Sequence, residues 1–470
     1  MGGFLVIGMA SLILLPEGSI VAIFVAPNNE TESLINDWLT ANDIQATPIF
    51  PGRNWLRLNT TVGIENQAFD TQFSIFTQQE TRQLTIRTLA YSVPATLKEH
   101  IELVHPTIAF PVLTQDASSF RVTPFNPTTV SPLVTNLNLI SNAVPTSCNT
   151  VVTPACLQAL YGLPASVPQQ NVNQIDVGGF NNQFVQSADL KSFLSLLRTD
   201  INSNPNFSFV GVDGGTNSQS PAVAGGVPTT FVSLGTAGGI IGVFAVAETF
   251  LQANALPNVI TGFFGINEAD NPQSIATVIC SVFMQFGPVE SPSSLPLVTE
   301  VYPRVTSVGA TTGISPETAA TFSGGGFSNF FSFPSYQTSQ VKSYLPRLGS
   351  TNTGNFNLLG RAYPDVSTQG QNILFFSGGI EVLGSSTAAS IPIFVSAIAY
   401  INAHLAAAKL PPVGFLNPVL YHSPGAFNDI KKGSNPGCST NGFPALAGWN
   451  PVTGVGTPNF ASLKTIFGPT

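Results

Sequence analysis

The chain has 470 residues, enough for more than one domain, with 9% charged and 43% hydrophobic. Its 16 lysines and arginines and net charge of −8 argue against nucleic acid as a partner. Few carboxylates build little self-repulsion when protonated, so the composition fits a secreted protein that meets acid or, alternatively, a large β-rich core that needs few charges.

Residues 4–15, FLVIGMASLILL, form an apolar run closed by Pro16 and Glu17. The run is too short for a stable membrane span and suits either a signal segment or a strand. Residues 31–44, TESLINDWLTANDI, place apolar side chains at helical spacing, with Thr31 as the cap. WLRLNTTV and FSIFTQQETRQLTIRTLAYSVP then alternate as strands and a hairpin. Residues 111–147, rich in Pro, Thr, Ser and Asn, read as a linker. Beyond it, Thr153-Pro154 opens a helix, VNQIDVGGF is a buried strand, ADLKSFLSLLRTD an amphipathic helix and FSFVGVDGG the next strand. VPTTFVSLG, a helix around GVFAVAETFLQANALP, and VITGFFGINEAD continue the alternation. Short strand-helix-strand connections predict an α/β fold with a doubly wound parallel sheet. Asn29, Asn59 and Asn206 begin glycosylation acceptor triplets, should the chain be secreted. The spacing of Cys148, Cys156, Cys280 and Cys438 and the scatter of His100, His105, His404 and His422 argue against a zinc site.

The stretch 378–394, GGIEVLGSSTAASIPIF, has the form of a nucleophile turn. Small residues let the backbone bend, and Pro392 marks the start of a helix, IFVSAIAYINAHLAAAK, apolar all round and therefore buried. Such a turn puts a hydroxyl at a helix N-terminus, where the dipole favours developing negative charge. The alternative is a Ser-rich capped turn with no chemistry. After it come VGFLNPVLY (413–421), NDIKKGSNPGC (428–438) and GWNPVTGVGTPNF (448–460). With GRAYPDVSTQG (360–370), FSGGGFSNFF (322–331) and VTSVGATTG (305–313), these resemble the sedolisin family of serine-carboxyl peptidases, and within it the fungal tripeptidyl-peptidase branch.

The resemblance runs from about residue 30 to the end and implies a subtilisin-like fold behind a pro-domain. The domains expected are an apolar segment over 1–25, a partial α+β pro-domain over 26–110 without its first helix and strand, a linker over 111–147 where zymogen cleavage would fall, and a peptidase domain over 148–470. It also implies that Cys148 and Cys156 close a small loop, and it leaves Cys280 and Cys438 unassigned.

Members of this family use a Glu as base, an Asp to orient it and a second Asp at the oxyanion hole. A carboxylate titrating near ~4 is a usable base in acid, and a protonated Asp can donate to an oxyanion. Here GGTNSQSPAVAG (214–225) runs almost directly into Gly226-Val227-Pro228, with no acidic residue between Asp213 and Glu248. MQFG (284–287) is followed by PVESPSSLPLVTEVYPRVTSVG, without the strand that carries the oxyanion Asp. Counting back from Pro392 puts Ala388 at the nucleophile position. Ser386 is a fallback only with a two-residue insertion, and Ser390 matches a structural serine. Glu248, Glu268 and Asp270 are read as solvated or capping, Asp365 as structural and His422 as a surface residue.

The resemblance further implies one calcium ion held by two aspartates and backbone carbonyls. Asp429 and the Ile430 carbonyl match its first loop, and the carbonyls of Leu446 and Gly448 its second. The second Asp is Asn450, so calcium is expected to bind more weakly, the alternative being a calcium-free loop held by packing of the GWNPVTG turn. The chain is thus expected to be a secreted, monomeric peptidase homologue, inactive as its residues stand and keeping a cleft for peptide. One alternative is an active tripeptidyl peptidase whose sequence has lost segments, since a missing core strand would leave its neighbours at an edge. Another is a wall or surface protein that keeps only the fold.

Overall fold

The computed structural model describes residues 2–9, 26–49, 52–77, 84–108, 121–125, 144–164, 175–179, 185–200, 207–212, 215–217, 229–234, 246–247, 249–250, 259–262, 273–284 and 302–468, with positions 79, 82, 110 and 268. The chain divides into two units: Met1–Leu113 with Gly239–Ala255 and Ala269–Val289, and Thr114–Gly238 with Leu256–Glu268 and Glu290–Thr470.

In the first unit, β1 (Gly2–Met9) is followed by α1 (Asn29–Ala41), β2 (Gln45–Pro48), β3 (Trp55–Thr61), α2 (Val62–Ala68), the hairpin β4 (Ser74–Thr77) and β5 (Leu84–Arg87), and β6 (Ile101–His105). The antiparallel order is β2-β3-β1-β6, with Val6 opposite both Arg57 and His105. Of the two readings of the N-terminal apolar run, the strand is therefore the one found over residues 2–9, inside the sheet rather than ahead of the domain. Residues 10–25 lie outside the described set. The cap of α1 is a correction: Asn28, not Thr31, closes the helix by accepting from Thr31 N at 2.8 Å. Thr31 is buried inside the first turn, its hydroxyl 2.8 Å from His100 Nδ1. Ile35 and Leu39, one turn apart, are buried with Leu58, Phe69 and Val104 in this unit's core.

The second unit opens with β7 (Arg121–Pro124), which lies in the predicted linker. Then come α3 (Pro154–Tyr161), capped by Thr153 as expected, β8 (Ile175–Gly179), α4 (Ser187–Leu197), β9 (Ser208–Val212), β10 (Thr229–Leu234) and β11 (Val259–Gly262). These strands form a parallel sheet in the order β11-β8-β10-β9, the predicted α/β pattern. A second ladder joins β12 (Val308–Thr312) in parallel to a later strand and in antiparallel to β13 (Thr318–Ala319). The chain continues through β14 (Gly326–Ser332), α5 (Thr338–Leu348), β15 (Gly360–Tyr363), β16 (Val366–Gln369), which is that partner of β12, β17 (Ile373–Ser377) and β18 (Ile380–Ser385). β18 pairs with β17 and with β7, Ser385 facing Arg121, so the linker contributes a strand to this unit. Among the described residues no ladder joins β11 to β12. Between those two strands, residues 263–267, 269–272 and 285–301 lie outside the described set.

The helix α6 (Thr387–Ala407) packs on β11, β12 and β16. It alone among the described helices is long and apolar enough to cross a membrane, and two thirds of that stretch is buried inside the protein, as a core helix is. Ile391, Phe394, Ile398 and Ile401 are each at most 1% exposed, and each such burial is worth about 1.5–3 kcal/mol. The predicted helix start at Pro392 is a correction, because the helix begins five residues earlier behind Ser386. Pro392 cannot donate to the carbonyl of Ala388, but its ring faces solvent and the first turn is closed by Ala389 N donating to Ser386 O at 3.1 Å.

Candidate active site and metal loop

Strand β18 delivers the chain to the N-terminus of α6, where Ser386 has extended backbone and its Oγ accepts from Ala388 N at 3.1 Å. The Ser386 N–H donates to Gly370 O at 2.8 Å. Thr387 Oγ1 donates to Phe322 O (3.0 Å) and accepts from Gly324 N (3.2 Å). Ser390 Oγ donates to Thr387 O at 2.5 Å. All three hydroxyl-bearing residues are at most 1% exposed, whereas Ala388 and Ala389 are only partly buried. The accessible rim of the turn is thus lined by methyl groups, and the fallback Ser386 spends its oxygen on its own helix cap.

Asp213, Glu248 and Asp270 and the stretches where a base helix and an oxyanion strand were sought lie outside the described residues, apart from 215–217. Three described carboxylates of the second unit, Glu268, Asp189 and Asp365, are tied to donors. Glu268 accepts from Ser328 Oγ, Asn329 N and Phe330 N, which makes it a backbone cap for β14. Asp189 accepts from Gly378 N (3.0 Å) and Gly379 N (2.8 Å) in the β17–β18 turn. Asp365, fully buried, pairs with Arg361 at 2.6 Å and accepts from Ser307 N and Tyr421 OH, both at 2.8 Å, in a structural role.

Sequence reading passed over Glu317. It is partly buried, and it accepts from Tyr161 OH (2.8 Å), Thr311 Oγ1 (2.5 Å) and Thr457 Oγ1 (3.0 Å). Burial pushes its carboxyl above the ordinary range, against the downward pull of these donors. The Tyr161 phenol is raised well above its usual value by burial and by the Glu317 charge. The available signal was a lone acid in the nearly uncharged stretch between Arg304 and Lys342.

The residues predicted to hold calcium do converge. Asp429 accepts from Gly448 N through both carboxylate oxygens at 3.0 Å, and Lys431 Nζ lies 3.5 Å from Oδ2. Asn450 is fully buried, and its Oδ1 accepts from Val452 N (3.2 Å), Thr453 N (3.0 Å) and Thr453 Oγ1 (3.1 Å). Its Nδ2 points at the carbonyls of Ile430 (3.2 Å), Leu446 (3.2 Å) and Gly448 (3.4 Å). Gly454 closes the turn at φ +61°, where a Cβ would stand 2.1 Å from Asp365 O. Among the described residues no cluster of three or more His, Cys, Asp or Glu could hold a metal ion. Cys148 and Cys156 form the disulfide that the resemblance implied. Cys280 is buried and Cys438 exposed, and they are not joined to each other.

Comparison with known proteins agrees with this architecture. Residues 19–110 match the Pro-kumamolisin activation domain. The chain is 32% identical to tripeptidyl-peptidase SED2 of Arthroderma otae, over 94% of this chain and 84% of that protein. It is 31% identical to a probable tripeptidyl-peptidase SED2 of Arthroderma benhamiae over the same shares. Among solved structures, Pseudomonas sedolisin, a serine-carboxyl proteinase complexed with pseudo-iodotyrostatin, superposes with a TM-score of 0.53 at 20% identity, over 67% of this chain and 98% of that one. The chain belongs to the sedolisin family. The alignment with the Arthroderma otae protein spans 512 positions, more than the 470 residues present here, so that relative carries residues which this chain lacks.

Proposed function

We propose that this chain is a secreted, non-catalytic member of the sedolisin family, a pseudopeptidase that keeps the peptidase fold and binds peptide without cleaving it. The observation that carries the reading is Ala388 on the accessible side of the α6 N-terminus, with the hydroxyls of Ser386, Thr387 and Ser390 buried around it. A methyl cannot attack a carbonyl, and losing a nucleophile costs on the order of a million-fold in kcat. The Cys148–Cys156 disulfide supports an oxidising, extracellular destination. The test is tripeptide release from peptide substrates by the purified chain in acid. The expected result is no release above buffer alone, together with saturable peptide binding. Measurable release would overturn the inactive reading, and absence of peptide affinity would favour a surface protein that keeps only the fold.

A second reading draws on the alignment that outruns the chain. Under it, the active protein is a tripeptidyl peptidase whose base helix and oxyanion strand were lost in exon prediction. Sequencing the mature transcript across codons 210–310 separates the two. Extra in-frame sequence carrying those segments would favour it and leave Ala388 as the remaining obstacle.

A further inference from the structure

The loops at 429–450 are arranged for a cation but filled by an amide. From this geometry we infer that Asn450 replaces the metal ion: its NH2 group is the intramolecular counterpart of the calcium, and the loop pair needs no calcium to hold its shape.

The orientation of the amide follows from its neighbours. Backbone N–H groups of Val452 and Thr453 can only donate, so the atom facing them is the Asn450 oxygen. The carbonyls of Ile430, Leu446 and Gly448 can only accept, so the atom facing them is the nitrogen. Flipping the amide would set oxygen against three oxygens and nitrogen against two N–H groups. The three carbonyls that would ligate a cation are therefore shared between the two amide protons. The Asn450 oxygen is turned away from these carbonyls, into the GWNPVTG turn.

The charge balance agrees. The loop pair retains one carboxylate, Asp429, whose two oxygens accept from the Gly448 N–H and lie beside Lys431. Arg347 donates from its guanidinium to the Ala447 carbonyl. Two cationic side chains thus border a loop with a single negative charge, a poor donor set for a hard divalent cation that favours several anionic oxygens. The amide and the ion cannot occupy the same place among the carbonyls, and the amide is covalently present.

The experiment is thermal unfolding of the purified chain in calcium chloride and in EDTA, with a calorimetric titration of calcium alone. The expected result is the same Tm in both solutions and no saturable binding. A Tm that falls on chelation, or saturable calcium binding by the native sequence, overturns the inference. Asn450→Asp should reverse the behaviour, with Tm lowered in EDTA and restored by calcium, because a carboxylate repels the three carbonyls until a cation joins them. Asn450→Ala guards against a variant that does not fold. Its Tm should drop by roughly 4–10 °C in calcium and EDTA alike, as expected for a few lost buried hydrogen bonds. An unchanged Tm for Asn450→Ala would show that the amide holds nothing, and would likewise overturn the inference.

Discussion

A methyl group at position 388 carries no lone pair, but restoring a hydroxyl there restores only one part of a cooperative set. Without a base, a serine at pH 4 keeps its proton, so Ala388→Ser alone is expected to leave tripeptide release at the buffer rate. A measurable initial rate from that variant would show that a base survives in the chain. Two other residues make pH predictions of opposite sign. The folded-state pKa of Glu317 lies above its unfolded value of about 4.3, so the folded state holds the extra proton and stability falls as pH rises through that window. Glu317→Gln should therefore gain stability over the native sequence at pH 7, and the gain should shrink toward pH 4 in urea titrations. His105, in β6, is held down to about 4 by burial and then by the charge of Arg87. The unfolded chain then binds the extra proton between about pH 6.5 and 4, and stability present above that window is lost as pH falls through it. The loss approaches about 3 kcal/mol at the acid limit. His105→Leu should flatten this dependence in the first unit, and an unchanged slope would remove His105 as its source.

Strand β1 lies between β3 and β6, so deleting residues 1–9 would leave both flanking strands with open hydrogen-bonding edges. The deletion is expected to abolish amide protection in β3 and β6 by hydrogen exchange while leaving α6 protected. Protection retained in both strands would show that β1 is dispensable. Elements with strong local patterns were legible from sequence: α3 behind Thr153-Pro154, the alternating β3, and the parallel set β8 to β11. Others were decided at a distance. An apolar run serves equally as signal or strand until β3 and β6 are there to pair with it. The strand β7 is four residues of RVTP whose partner lies more than 250 positions away, so no local pattern marks it. The start of α6 was misread because a solvent-facing proline is tolerated within a helix that Ser386 already caps. At the site, residue identity at 388 and 450 was legible, and orientation was not. The Asn450 amide has meaning only once carbonyls from 430, 446 and 448 meet.

At the scale of the whole molecule, each unit has its own core and its own chemical lever. His105 belongs to the first unit, Glu317 and the Cys148–Cys156 disulfide to the second. Acid should therefore lower the His105 contribution to the first unit's unfolding transition, a fall that His105→Leu removes, while the Glu317 contribution favours the second. Reduction should lower only the second, by about 2–4 kcal/mol of stability. Calorimetry at pH 7 and pH 4.5, with and without a reductant, checks this, and a single transition that moves as one body under both treatments would refute it. The low charge density keeps the number of such groups small, and in the first unit Glu65 and Glu102, whose carboxyls burial also raises, work against His105.

The residue after Asn450 is Pro451, which has no backbone N–H. Asparagine ages mainly when the next residue's deprotonated amide nitrogen attacks the side-chain carbonyl and expels ammonia, leaving aspartate behind. That route is closed at this position. The group filling the loop is thus protected from the spontaneous conversion that would put a carboxylate among three carbonyls, and a long-lived molecule keeps its internal plug as it was synthesised.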